Sequence, residues 1–194
     1  MLTLLLAQLL LYTELDRWVS NMSMFPIATT TAGAGGIAAF DFINIPQTFT
    51  HLQLRVFGYS TLSASVDNLA LYFNNDTGNN YATHSLYTNG SSALTYAGTS
   101  QARFYLPSLF PAATTSQFCS AIIDVLDYTN TSKYKTVRTL SGYDANGSGI
   151  VGLTSGLWMS TSAISRFSGG TSANLAQYSR IDLYGISTSN VTGA

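Results

Sequence analysis

Oxygen-bearing side chains alternate at Asp144, Asn146 and Ser148, as the first ligands of a calcium-binding loop do. An EF-hand loop also needs a glutamate at its twelfth position, which here is Ser155. A turn in which the Asp144 carboxylate accepts hydrogen bonds from nearby backbone N–H groups explains the same residues. We therefore interpret this segment as the turn of a hairpin and not as a metal site.

Two other positions allow more than one role. Asp76, with Asn74 and Asn79, could bind a cation weakly, but capping of a hairpin is the preferred interpretation. Trp158 could stack on a sugar ring, but a position in the core or at an interface is favoured. Trp158 is nevertheless the one aromatic residue that the sequence singles out as a candidate ligand or interface residue.

The remaining reactive groups are few and scattered. His51 and His84 are the only histidines, and neither belongs to an HExxH or CxxC motif. Cys119 is the only cysteine, and its apolar surroundings in the sequence predict a buried, unreactive thiol. No GxSxG motif is present, and nine carboxylates offer little support for the paired acids of a glycosidase. The sequence predicts no catalytic residue, no cofactor and no metal, and hence no enzyme.

The composition points to a weakly charged protein with a polar, uncharged surface. Only 9% of the 194 residues are charged, against about 25% in ordinary soluble domains, and the net charge is -1. The eight Lys and Arg residues are spread along the chain, so there is no basic field for nucleic acid. Twelve Tyr and ten Phe favour strands and suit interfaces between subunits.

From residue 37 onwards the chain has the pattern of a β protein. Residues 51–57 alternate between apolar and polar types, which predicts that Leu52, Leu54 and Val56 point inward from one strand. Clusters of Asn, Asp and Gly recur between such runs, and these residues favour tight turns. We expect an all-β fold, an antiparallel jelly-roll-like β-sandwich over residues 37–194, with an immunoglobulin-like sandwich as the second choice.

Four segments fall outside the predicted strands. Residues 91–101 and 165–175 are polar and are predicted to be surface loops that could bind a ligand. Residues 21–36 are rich in Gly, Ala and Thr, and they predict a linker or extended arm. Residues 1–20 are rich in Leu and predict an apolar N-terminal helix.

The N-terminal apolar run ends after about twelve residues, short of the roughly 20 that a membrane span requires, so no span is predicted. Three interpretations remain open: a helix that docks on a partner subunit, a weak export signal, and a natural start further along at Met22 or Met24. Docking is favoured, with one helical face formed by the leucines and Trp18 at its end. The predicted assembly residues are Leu2, Leu5, Leu6, Leu9, Leu10 and Trp18.

Five segments, taken together and in order, carry a family resemblance: residues 45–55 (IPQTFTHLQLR), 73–81 (FNNDTGNNY), 127–136 (DYTNTSKYKT), 156–164 (GLWMSTSAI) and 183–186 (LYGI). Over residues 37–186 or so, the chain resembles the tail-fibre and head-associated structural proteins of tailed phages. The resemblance implies a β domain in a virion, without enzymatic activity. Residues 1–21 depart from the pattern of that family.

The main functional hypothesis is therefore a structural virion component, either a head decoration or a tail subunit, anchored by its N-terminal arm. Its expected partners are other virion subunits and further copies of itself, with a trimer as the expected symmetry. The alternative is a tail-fibre domain that binds a receptor or glycan on the host surface. A depolymerising enzyme is a third and weaker hypothesis, because it would need clustered carboxylates.

Overall fold

The computed structural model describes residues 23–63, 66–111 and 117–187, which form twelve β-strands. In chain order the strands are β1 (Met24–Thr31), β2 (Ile37–Phe42), β3 (His51–Gly58), β4 (Val66–Phe73), β5 (Tyr81–Thr88), β6 (Ala93–Gln101), β7 (Phe104–Pro111), β8 (Cys119–Leu126), β9 (Lys135–Asp144), β10 (Gly149–Trp158), β11 (Phe167–Leu175) and β12 (Arg180–Ile186). Within these residues, no helix is long and apolar enough to span a bilayer.

The strands form two antiparallel sheets. The larger has eight strands in the order β1-β12-β3-β8-β9-β10-β5-β6, and the smaller has four in the order β2-β11-β4-β7. Buried apolar side chains from both sheets join in one hydrophobic cluster, so the sheets pack face to face as a sandwich. The predicted all-β antiparallel sandwich is confirmed.

Alternating side chains build this core, because successive residues of a strand point to opposite faces. Leu52, Leu54 and Val56 of β3 are buried, as the sequence pattern predicted. Leu69, Leu71 and Phe73 of β4 face them from the smaller sheet and are fully buried. The intervening residues of β4 are left for the outer surface of the smaller sheet.

Of the two predicted Asn-rich turns, residues 145–148 close the β9–β10 hairpin as expected, whereas residues 74–80 lead from β4 in the smaller sheet to β5 in the larger one and do not close a hairpin. Asn74 and Asn75 have φ angles of 52° and 57° at the end of β4, and Asn146 and Gly147 have 59° and 90° between β9 and β10. These are left-handed conformations, which Asn and Gly adopt more readily than other residues.

The predicted arm needs correction. Residues 24–31 are extended, but they form β1, an edge strand of the larger sheet that pairs with β12. Pro26 is tolerated there because it lies at a register shift on an edge strand, where a missing N–H costs little. The domain therefore begins at β1 and not at Ile37. The helix predicted for residues 1–20 lies outside the described residues.

The two predicted loops are also strands in large part. Residues 93–101 form β6, the other edge of the larger sheet, and residues 167–175 form β11, in the middle of the smaller sheet. Close packing requires one of the glycines of β11. A Cβ at Gly169 would lie 2.7 Å from the Ala70 carbonyl oxygen and 2.8 Å from the Phe40 ring.

Candidate functional site

The outer face of the four-stranded sheet, the one turned away from the core, carries a groove of about 520 Å³. We call it the outer groove. It lies across all four strands and contains small side chains, two tyrosines and three charged groups. The residues that bound it include Ala39, Asp41, Tyr72, Arg103, Tyr105 and Arg166.

The floor of the outer groove is a row of small residues set side by side by strand pairing. Ala39 of β2 lies opposite Gly170 of β11, which lies opposite Ala70 of β4. A Cβ at Gly170 would come within 2.7 Å of the Ala38 carbonyl oxygen, so the backbone geometry requires glycine here. Because these side chains are short, a ligand can approach the sheet closely.

Tyr72 and Tyr105 form one side of the outer groove. Tyr105 of β7 lies opposite Ala70, and Tyr72 of β4 lies opposite Ser168 in the neighbouring row. Within the described residues, neither tyrosine hydroxyl has a hydrogen-bond partner. The Tyr105 hydroxyl is protonated at neutral pH and can donate, and burial raises its pKa further.

Arg103 immediately precedes β7 and lies beside these rings. Its guanidinium carbon is 5.6 Å from the centroid of the Tyr105 ring, a cation–π distance. Its side chain is exposed, and no carboxylate or other acceptor in the described part of the chain pairs with it. Arg103 therefore supplies free N–H donors and a positive charge to this side of the groove.

The opposite end is formed by an ion pair between β2 and the residue before β11. Arg166 donates from Nε and Nη2 to the two carboxylate oxygens of Asp41, at 2.7 Å and 2.6 Å. The hydrogen bond with Asp41 raises the pKa of Arg166. The Asn74 side chain accepts from the backbone N–H of Arg166 at 3.1 Å, which positions the start of β11.

A buried carboxylate behind the sheet shapes the remaining edge of the outer groove. Asp67 accepts hydrogen bonds from Ser60 Oγ at 2.6 Å and from the backbone N–H groups of Asn68, Ser172 and Ala173. Burial alone would raise the pKa of Asp67, but these hydrogen bonds outweigh it and hold the pKa below its usual value. Asp67 thereby holds the irregular part of β11 against β4.

Trp158, the predicted ligand or interface aromatic, is a core residue. It is 2% exposed, and its indole N–H donates to Asp76 Oδ2 at 2.7 Å. Its ring packs against Phe73 and Tyr81, with centroids 5.5 Å and 6.4 Å away. No face of the ring is left for a sugar, so the core interpretation is the correct one. The other predicted site residues, from Leu2 to Trp18, lie outside the described residues.

The candidate cation ligands serve as turn residues. Asp144 Oδ1 accepts from the backbone N–H groups of Asn146 and Gly147 at 2.7 Å and 3.3 Å. Asp76 accepts from Gly78 and Asn80 as well as from Trp158. In the described ranges, no three His, Cys, Asp or Glu side chains come close enough together to hold a metal ion.

The histidines and the cysteine do not meet in one site. His51 Nδ1 accepts from the backbone N–H of Asp127 at 2.9 Å, whereas His84 lies exposed on β5. Cys119 is fully buried, and burial raises its pKa to about 12. The buried thiol predicted from the sequence is confirmed.

A second surface feature lies on the outer face of the eight-stranded sheet. Four aliphatic side chains lie directly opposite one another on adjacent strands and are between 40% and 56% exposed. Val151 and Phe57 extend the exposed apolar surface in the next row. We call the four-residue set the apolar row; its members are Ile122, Leu140, Leu153 and Leu86.

No protein-family model matches this chain, and no curated protein sequence matches it. Solved structures similar to it include an alginate lyase at 10% identity, with a TM-score of 0.33 over 84% of this chain and 95% of that one. A CBM40 domain of a Ruminococcus gnavus sialidase, bound to α2,6 sialyllactose, has 10% identity and a TM-score of 0.34 over 86% and 96%. The CBM2 module of an evolved Dit protein from Lactobacillus casei BL23 phage J-1 has 10% identity and a TM-score of 0.25 over 77% and 69%.

Proposed function

We propose that this chain is a non-catalytic glycan-binding domain and that the outer groove is its binding site. The observation that carries the proposal is a floor of small residues beside two tyrosines, Tyr72 and Tyr105. Among the described residues, neither tyrosine hydroxyl has a hydrogen-bond partner. A sugar ring presents an apolar C–H face and a rim of hydroxyls. Tyrosine suits both, because its ring is apolar and its hydroxyl donates and accepts.

The charged groups at the two ends of the outer groove fit the same role. Arg103 donates at one end, and the Asp41–Arg166 pair offers a fixed acceptor and donor set at the other. A few placed polar groups beside an apolar surface are typical of sites that orient a small ligand. Among the described residues, Asp41 is the one carboxylate that bounds the groove, and it is already paired with Arg166, which supports binding without hydrolysis.

The strand order supports a finer fold assignment, which we also propose. Without the β5–β6 and β9–β10 hairpins, the sheets become β1-β12-β3-β8 and β2-β11-β4-β7. That is the strand order of an eight-stranded jelly roll, in which the chain passes between two packed four-stranded sheets. The two hairpins then extend one sheet of the roll, and the outer groove lies on the other sheet.

We propose further that the domain acts in a phage virion, as a tail-fibre module that recognises host-surface glycan. This rests on the resemblance of residues 37–186 to tailed-phage structural proteins. Binding to a host polysaccharide would bring the particle to the cell surface without any chemical step.

The test is glycan binding by the wild-type protein and by two groove variants. We expect Tyr72→Ala and Tyr105→Ala each to weaken binding at least about fivefold, the effect of losing about 1 kcal/mol at an anchoring side chain. Tyr134→Ala is the matched control, because Tyr134 is half exposed and lies away from the groove. Unchanged affinity in both groove variants would refute the proposed site.

A second candidate function is that of an assembly subunit, which the apolar row favours. Contiguous exposed apolar surface is uncommon on monomers and often marks an interface. The occupant that we propose is a second copy of this chain. With eight strands about 4.8 Å apart and about eight residues long, the outer face of the larger sheet covers about 1,000 Å², enough for the roughly 800 Å² per partner of a stable interface.

This second proposal is tested by the oligomeric state. Light scattering should show an oligomer for the wild-type protein, with a trimer as the expected state. The double variant Leu140→Lys, Leu153→Lys should dissociate it. Ser132→Lys, an exposed change in the loop before β9 and outside the sheet face, should leave it assembled. A wild-type protein that is monomeric at micromolar concentration would contradict the proposal.

A further inference from the structure

We infer that the glycan bound in the outer groove carries a carboxylate, and that Arg103 binds that group. This inference rests on the proposed glycan-binding function and goes further by naming the chemical class of the ligand. Uronic acids and sialic acids share the required chemistry, a sugar ring with a carboxylate attached.

The two arginines of the groove differ in what they already bind. Arg166 is held by Asp41 through two hydrogen bonds of 2.7 Å and 2.6 Å, so its charge is compensated. Arg103 has no carboxylate partner in the described part of the chain, and its guanidinium carbon lies 5.6 Å from the centroid of the Tyr105 ring. An arginine in that state has its N–H groups available for a carboxylate from outside.

The charges around the outer groove favour an anion. Arg103 and Arg166 contribute two positive charges and Asp41 one negative charge, so the groove residues carry a net charge of +1. The whole chain, by contrast, has a net charge of -1. Asp67 does not line the groove, and its negative charge lies behind the sheet, where its carboxylate accepts hydrogen bonds from Ser60 and from backbone N–H groups.

The position of Arg103 beside the Tyr105 ring also suits the task. A guanidinium over a tyrosine ring uses its flat face for the cation–π contact and leaves its N–H edge free. That edge matches a carboxylate, with which it can form two parallel hydrogen bonds. The sugar ring attached to that carboxylate would then lie over the small residues Ala70 and Gly170, beside Tyr72.

The experiment measures affinity for two acid–neutral pairs by isothermal titration calorimetry. The first pair is tetragalacturonate and its fully methyl-esterified form; the second is sialyllactose and lactose. We expect the wild-type protein to bind the acidic member of at least one pair about tenfold more tightly, equivalent to about 1.4 kcal/mol. The pair that shows the preference distinguishes a uronic acid from a sialic acid.

Variants assign the preference to Arg103. Arg103→Gln should bind the acidic and neutral members equally, and Arg103→Lys should keep part of the preference, because it retains the charge but not the two-pronged geometry. Arg138→Gln removes an exposed arginine from β9 on the other sheet, and it should leave both affinities unchanged. The wild-type preference should also fall as salt is raised from 50 to 500 mM, since exposed charges are screened.

The outcomes separate this inference from the proposed function. Equal wild-type affinity for acidic and neutral members, no binding of either acid, or a preference that survives in Arg103→Gln would each overturn the inference. In all three cases, continued binding of a neutral glycan that Tyr72→Ala weakens would leave the glycan-binding function standing. If no glycan binds at all, the proposed function fails as well.

Discussion

The Asp76 carboxylate links the turn after β4 to Trp158 of β10, and its removal should destabilise the sandwich. It accepts from the Trp158 indole at 2.7 Å, from the Gly78 backbone at 2.8 Å and from the Asn80 side chain at 2.9 Å. In Asp76→Ala the Asn80 amide can turn to water, because Asn80 is exposed. The indole of Trp158 lies in the core, so its N–H is left without a partner.

The expected loss of stability in Asp76→Ala follows from the contrast between the exposed Asn80 amide and the buried Trp158 indole. An unsatisfied buried donor costs about 1–3 kcal/mol, and the lost bond from Gly78 adds about 1 kcal/mol. We therefore expect Asp76→Ala to lower the free energy of unfolding by about 2–4 kcal/mol, measured by urea denaturation. Combining it with Trp158→Phe, which removes the indole N–H, should show a coupling energy of about 1–3 kcal/mol.

Either of two results would refute this reasoning. One is a loss below about 1 kcal/mol in Asp76→Ala, and the other is strict additivity of the two substitutions. Asp144→Ala is the matched control at the β9–β10 hairpin, because its carboxylate accepts from the backbone N–H groups of Asn146 and Gly147 in its own turn. It should cost about 1 kcal/mol, the scale of one local hydrogen bond.

The Asp76 carboxylate should also make the stability of the protein depend on pH. Burial alone would raise the pKa of Asp76, but hydrogen bonds from Trp158, Asn80 and Gly78 hold the pKa below its usual value. A depressed folded-state pKa means that the stabilisation is complete above the unfolded value of about 3.9 and is lost as the pH falls through the folded value. The stability difference between wild type and Asp76→Asn should therefore shrink below about pH 4.

Three further predictions concern other residues. Burial raises the pKa of Cys119 to about 12. The thiol should therefore resist alkylation by iodoacetamide at pH 8 in the native protein and react after unfolding in urea. Rapid labelling of the native protein would contradict this and would show that β8 opens readily. Lys135 is fully buried, and its ammonium donates to three backbone carbonyls. Lys135→Met should therefore lower the free energy of unfolding, measured by urea denaturation, by about 1–3 kcal/mol. An unchanged free energy of unfolding would contradict this and would show that water replaces the ammonium. Deleting residues 1–21 should leave the melting temperature of the sandwich unchanged but prevent incorporation into particles, and normal incorporation would rule out the docking role of the N-terminal leucines.

The sequence predicted those parts of the fold that depend on local pattern. Alternation placed Leu52 and Leu54 in the core, and Asn at positions 74 and 146 marked tight turns, because both effects act within a few residues. The strand β6 was missed because its Ala, Gly, Ser and Thr residues are also those of loops. The strands β1 and β11 were missed because they too contain several such residues. What makes them strands is their pairing with β12, β2 and β4, which is non-local.

The outer groove could not be predicted from local sequence patterns either, because it too depends on non-local strand pairing. Asp41, Tyr72, Arg103 and Arg166 come from four distant parts of the chain, and only the order of strands in the smaller sheet brings them together. One signal was present: in β4 the outward residues alternate with buried ones, and that outward set ends in Tyr72. Trp158 attracted attention as an aromatic residue, but its partner Asp76 was visible only once the β4–β5 turn met β10.

The most direct test of the central claim is a map of backbone amide chemical shifts during titration with a glycan that binds. The glycan-binding account predicts that the shifts cluster on the four-stranded sheet, at Tyr72, Tyr105 and Gly170 and at the adjoining Arg103 and Arg166. Shifts confined to the eight-stranded sheet, around the apolar row, would contradict it.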